Sequence, residues 1–236
     1  MKSCSKFINC TYDRINKERH QIVVYNFSSK DDEYIKALEK AAELSKRVNR
    51  SGPDGLIRQF QTIYANIFAG CLAEAAVKDL LNSYFKINNR DDILAHEISF
   101  NSDNDIDQID LGVSRGKITK TIEVRSSYSY AKDTNRIYNE WFSLVGYYST
   151  GYKPMERLKD YYITAIFRFN AGKMPMIIAK KSDVSLHLAA GASAQLLHDI
   201  GEWDNLKNEN ANYRVIKPII KAWSIYETAN SIINSF

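Results

Sequence analysis

The chain has 236 residues, of which 44% are hydrophobic and 25% charged, and a formal net charge of +4. That length suits one large domain with a real core. The ordinary composition excludes a collagen-like or low-complexity chain, and no apolar run reaches the roughly 18 residues of a membrane span. Three cysteines without paired spacing give neither a disulfide framework nor a zinc site. The start, "MKSCSKFINC", is too polar for a signal peptide, so a cytoplasmic protein with no membrane association is expected. The mild positive charge permits a polyanionic partner, and the 15 tyrosines supply rings that stack on bases and hydroxyls that reach phosphates.

In chain order, "RHQIVVYNF" at 19–27 reads as a strand. Ser28 or Ser29 then caps an amphipathic helix over "KDDEYIKALEKAAELSKRV", and "NRSGPDG" ends it. A longer helix spans 56–85. Within it Glu74 follows Ile67, Gly70 and Cys71 by seven, four and three residues and precedes Val77 and Leu81 by three and seven. It therefore projects from the apolar stripe. A carboxylate there needs a cation, from a side chain or a metal, to offset its desolvation.

"ILAHEISF" alternates as a half-buried strand with Leu94, His96, Ile98 and Phe100 on its apolar side. Strands over 106–113 and 118–125 follow, joined by "SRGK". Asp133 or Thr134 caps a helix over "NRIYNEWFSLVGYY". "DYYITAIFRF" and "MPMIIAKK" read as strands around "NAGK". Ser182 opens a helix through "SLHLAAGASAQLLHDI", "WDNLKNENANY" is a surface loop, and a last helix carries Pro218 in its first turn. The order α, α, β, β, β, α, β, β, α, α implies an α/β (α+β) fold, with a mixed central sheet flanked by helices. One domain covers 1–236, comprising an N-terminal elaboration (1–55), a core (56–180) and C-terminal helices (181–236).

The hairpin "IDLGVSRGKITKTIEVRSS" at 109–127 carries the chemistry. Alternation puts Ile109, Leu111 and Val113 on one face with Ile122 and Val124, and collects Asp110, Glu123 and Arg125 on the other. A turn centred on "SRGK" pairs Asp110 with about Thr121 and leaves Glu123 one diagonal step away, roughly 7–8 Å. Two carboxylates so placed can share a divalent cation. Mg²⁺ takes one or two carboxylates and completes its shell with water and phosphate oxygens. Arg125 on the same face can donate to a phosphate.

Asp110 followed by Glu123-Val124-Arg125 after a short hairpin resembles the catalytic signature of the PD-(D/E)xK nuclease superfamily, the fold of many restriction endonucleases. The resemblance implies an α-β-β-β-α-β core, matched by 56–170, and a Mg²⁺-dependent endonuclease acting on double-stranded DNA, with Asp110, Glu123 and Arg125 catalytic. It also implies that Glu74, on the preceding helix, joins Asp110 and Glu123 at the metal, and that a palindromic target brings a homodimer. Arg125 stands where the family usually has lysine. Arginine stays protonated and serves a phosphate, not a proton transfer.

Downstream, 126–159 interleaves aromatics with cations. Tyr128, Tyr130, Lys132, Arg136 and Lys153 are the expected nucleic-acid contacts. "DNDID" at 103–107 lacks the glycine and the glutamate of a calcium loop, and no P-loop or dinucleotide fingerprint is present. Three readings stay open: a restriction-type nuclease (or a repair or recombination nuclease of that fold), a non-catalytic nucleic-acid-binding module, and a hairpin whose polar face is merely solvated.

Overall fold

The computed structural model describes residues 6–12, 18–47, 57–98, 110–133, 136–149, 158–205 and 212–236; for 6–12, 18–19, 110 and 148–149 this covers the backbone alone. Two strands, β1 (Lys6–Tyr12) and β2 (Glu18–Phe27), precede two helices, α1 (Asp32–Leu44) and α2 (Phe60–Ile87). Then come β3 (Leu94–Glu97), β4 (Asp110–Arg115), β5 (Ile118–Tyr128), a single π-helical turn (Ile137–Trp141), β6 (Leu144–Ser149) and β7 (Tyr161–Phe167). The chain continues through α3 (Met174–Lys180), β8 (Val184–Ser193), α4 (Ala194–Ile200), β9 (Glu202–Asp204), β10 (Asn212–Ile216) and α5 (Ile225–Asn234).

Seven strands form the main sheet in the order β1-β2-β8-β7-β5-β4-β3, and β6-β10-β9 form a second, smaller sheet. The main sheet is mixed: β5 and β7 run parallel and the other neighbours antiparallel. The α/β (α+β) expectation of a mixed sheet flanked by helices is therefore met. One face packs Leu111, Val113, Ile122, Val124, Ile163 and Leu188 against α2, α1 and α5. The other buries Ile22, Tyr162, Ile166, Ala190 and Ala192 with Tyr138, Leu144, Leu197 and Ile216. A sheet covered on both faces explains why β7 and β8 read as nearly unbroken apolar runs.

Several elements differ from the sequence expectation. The described part of the helix expected over 135–148, residues 136–148, is not one helix: after the π-helical turn, Phe142 is extended and β6 pairs with β10. The aromatic and β-branched run from Val145 fits that pleat. "MPMIIAKK" is the helix α3, with Asn170 accepting from Gly172 N at the turn before it and Pro175 in its first turn. The helix expected over 185–200 is β8 followed by α4, whose cap is Ser193, accepting from Leu196 N at 3.1 Å. "WDNLKNENANY" contains the last two residues of β9 and the start of β10, with 206–211 outside the described residues. The last helix begins at a Ser224–Glu227 capping box, seven residues later than the one placed from 217. The crossover between parallel β5 and β7 thus carries a π-helical turn and β6 where a helix was expected.

Candidate active site

The β4–β5 hairpin turns more tightly than its sequence suggests. Arg115 pairs with Ile118, so Gly116 and Lys117 alone make the turn. Gly116 takes φ +59°, a conformation that favours glycine and suits a two-residue hairpin loop. The tighter turn shifts the register by two residues. Asp110 lies directly opposite Glu123, not opposite Thr121. Directly opposed residues share a face, with Cβ atoms roughly 4.5–5.5 Å apart, closer than the diagonal placement expected. The Asp110 side chain lies outside the described residues.

Glu123 is buried at 4% exposure. Arg125, two residues along the same face, brings Nη2 to 3.7 Å from Glu123 Oε1. Its guanidinium carbon also sits 5.8 Å from the ring centre of Tyr213 on β10, so the small sheet approaches this face. Across the parallel pairing Glu123 neighbours Tyr162, and Arg125 neighbours Thr164. Tyr162 Oη accepts a hydrogen bond from Lys159 N (3.1 Å). The register is pinned next door by Asp160, whose Oδ2 accepts from Thr121 N (2.8 Å) and from Thr121 Oγ1 (3.0 Å). Sequence reading missed Asp160, and it counted Lys159 among the cations of the basic 126–159 segment, whereas Lys159 is buried. The parallel pairing of β5 with β7 is what brings both to the hairpin, and no local pattern announces it.

Glu74 does not join this face. Pairing with Tyr162 sets Glu123 on the side of the Tyr162–Ala192 core, whereas Glu74 sits on α2, across the sheet. Glu74 is 3% exposed. Lys40 Nζ of α1 lies 3.7 Å from it and bonds Glu97 at 3.1 Å, and Lys78 bonds Glu97 at 2.6 Å. The hydrogen bond from Lys78, with that from Lys40, outweighs the upward push of burial and brings the Glu97 carboxyl pKa down to about 2. Burial draws Lys40 down, but Glu74, Cys71 and Glu97 hold it above its usual value. Burial beside Glu74 raises the Cys71 thiol to about 12. The cation that the apolar stripe demanded for Glu74 is thus the Lys40 ammonium. Among the described residues, which leave out the Asp110 side chain, no three His, Cys, Asp or Glu side chains group as metal ligands.

His96 also differs from expectation. Ile93 and Ala95 are buried at β3, while Leu94 is 58% exposed. His96 faces Gly112 and places Nε2 2.8 Å from Ser114 Oγ.

Of the expected nucleic-acid contacts, Tyr128, Tyr130, Lys132 and Arg136 come together. With Ser129, Ala131, Asp133 and Trp141 they line a cavity of about 580 Å³ at the far end of β5. Tyr128 packs its ring on Phe167 (5.5 Å), and burial raises its hydroxyl pKa. Lys153 lies outside the described residues.

No helix among the described residues is long and apolar enough to cross a membrane. No family model matches the chain, and no solved structure matches it. The uncharacterized protein MJECS01 of Methanocaldococcus jannaschii is 28% identical over 240 residues, covering 89% of this chain and 85% of that protein. That protein is uncharacterized, so the similarity carries no activity to this chain.

Proposed function

We propose that this protein is a Mg²⁺-dependent DNA endonuclease of the restriction type, with Asp110, Glu123 and Arg125 as its active residues. The observation that carries the reading is the register: Asp110 and Glu123 face each other across β4 and β5, and Arg125 stands 3.7 Å from Glu123 on the same face. Two carboxylates and water suit a hard divalent cation. When bound, Mg²⁺ supplies charge neutralisation at the scissile phosphate and makes water more acidic. Asp110 and Glu123 hold it, and Glu74 keeps a structural part with Lys40. Arg125 donates to a non-bridging phosphate oxygen and offsets the charge that grows there during hydrolysis. Burial of Glu123 strengthens its electrostatic interactions. A palindromic target implies a two-fold homodimer.

The burial of Glu123 beside Arg125 favours a second reading, a nucleic-acid-binding module in which the pair is architectural. Incubating mixed unmethylated DNA with Mg²⁺, with EDTA, and with Glu123→Ala separates them. Discrete fragments in the first lane alone support the nuclease. Intact DNA throughout, with Mn²⁺ also tried and methylated substrate compared, leaves the binding module.

A further inference from the structure

The cavity at the end of β5 combines two kinds of chemistry. Tyr130 is 77% exposed and Trp141 49% exposed. Exposed rings of that size in a concave site offer flat apolar faces to a flat ligand. Arg136 lies over the Trp141 ring with its guanidinium carbon 4.7 Å from the centroid. Its Nε is held by Glu140 Oε2 at 2.9 Å, and its backbone N donates to Asp133 Oδ1 at 3.1 Å. Stacking and pairing fix the guanidinium plane in advance. Lys132 is exposed and has no ion-pair partner among the described residues. A ligand joining an aromatic ring to a phosphate matches rings beside cations, and a nucleotide is such a ligand.

Location narrows this further. Tyr128 and Glu123 lie five residues apart on one strand, about 17 Å at a rise near 3.3 Å per residue. Their side chains take opposite faces, and it is the π-helical turn ending at Trp141, whose Ile137 and Tyr138 pack in the core on the Glu123 side, that brings the cavity to that side. One nucleic-acid strand, with phosphates about 3.4 Å apart along a duplex axis, reaches from Glu123 to the cavity in a few steps. A base paired within a duplex cannot present its face to Tyr130 or Trp141; an unpaired one can.

We propose that this cavity receives an unpaired base of the nucleic-acid substrate, seated on Tyr130 and Trp141, with Lys132 and Arg136 on its flanking phosphates. The proposal rests on the nucleic-acid reading above. It favours the repair or recombination form of that nuclease over the restriction form, with DNA bearing a single-stranded, flapped or extruded nucleotide as the preferred substrate in place of a palindromic duplex.

The test is fluorescence anisotropy with a labelled single strand, a blunt duplex and a duplex bearing a one-base flap, with Ca²⁺ in place of Mg²⁺. The expected result is single-strand and flap binding at least tenfold tighter than blunt duplex. Tyr130→Ala and Trp141→Ala each lose about tenfold on the first two, as expected for one stacked base, and leave the duplex unchanged. A flap carrying 2-aminopurine is quenched by the wild type and not by Tyr130→Ala. Equal affinity for all three substrates, or ring variants that bind the single strand as well as the wild type, overturns the proposal. So does an isolated mononucleotide bound as tightly as the oligonucleotide. Cleavage is scored separately in Mg²⁺. Cutting without a base preference removes the cavity's role and keeps the nuclease, whereas base-dependent binding without cutting keeps the cavity and removes the hydrolase.

Discussion

At the residue scale, two carboxylates that look alike in sequence are assigned different work. Both Glu74 and Glu123 are buried. Glu74 meets Lys40 at 3.7 Å, and Glu123 meets Arg125 at 3.7 Å beside the expected position of Asp110. Glu123→Gln is expected to lower cleavage at least 100-fold while the protein stays folded. Glu74→Gln is expected to lower stability by at most about 1 kcal/mol, since Lys40 is one-third exposed and keeps Glu97 at 3.1 Å, and to affect cleavage much less. Comparing urea midpoints and single-turnover rates of the two variants checks this; an equal collapse of cleavage in both would return Glu74 to the metal. His187 gives a pH signature. Its Nδ1 meets Tyr138 Oη at 2.6 Å, and burial, aided by Arg168, lowers its pKa from 6.5 to about 4. The unfolded chain therefore binds more protons between those values, and stability falls as pH drops from about 6.5 to about 4, by on the order of 3 kcal/mol. His20, likewise lowered by burial, adds to the same slope. His187→Asn is expected to be less stable at pH 7 and to show a shallower loss across that window. A variant with the wild-type slope would rule out His187 as its source.

At the element scale, close approaches decide what may change. A Cβ on Gly191 would meet Thr228 Oγ1 at 2.5 Å and Cγ2 at 2.7 Å. Thr228 is fully buried on α5 and donates to Ser224 O at 2.9 Å. Gly191 also exchanges backbone bonds with Trp223, at 2.9 and 3.0 Å. Gly191→Ala is thus expected to push α5 off β8 at a cost of about 1–3 kcal/mol. Adding Thr228→Ala should recover part of it, so the double variant is more stable than the two single effects summed. Thermal denaturation of all four proteins measures that coupling; strict additivity would mean that the two side chains do not compete for this space. The same contacts explain which elements were legible. The long helix α2 and strand β5 carry periodic or alternating signals, and β7 is a short, nearly unbroken apolar run rich in aromatic and β-branched residues. The run "SLHLAAGASAQLL" carries an alanine-rich signal that suits a helix, and burial on both faces of the sheet makes most of it a strand. Residues 144–149 form a strand because β10 lies beside them.

At the scale of the whole molecule, the proposed cation connects fold and function. Ligand that binds only the folded state raises its stability, by about 2.7 kcal/mol at a hundred times Kd. For a chain of this length that is roughly 5–10 °C in Tm. Mg²⁺ is expected to raise the Tm of the wild type and to leave that of Glu123→Ala unchanged in differential scanning fluorimetry. An identical shift in both proteins would place the ion elsewhere. Local patterns along the chain were enough for the mixed α/β character, the aliphatic face of the hairpin, the shared face of Asp110, Glu123 and Arg125, and the need of Glu74 for a cation. These follow from periods of 2 and 3.6 along a local stretch and from the cost of burying charge. Only the tertiary structure decided that the cation is Lys40, that Asp110 stands opposite Glu123, and that β7 brings Tyr162 and Asp160 alongside. Only there do Tyr130, Lys132, Arg136 and Trp141 close one cavity. Each of these depends on the turn length, the strand order or the packing of distant segments, where many weak contacts far apart in the chain outweigh local preference.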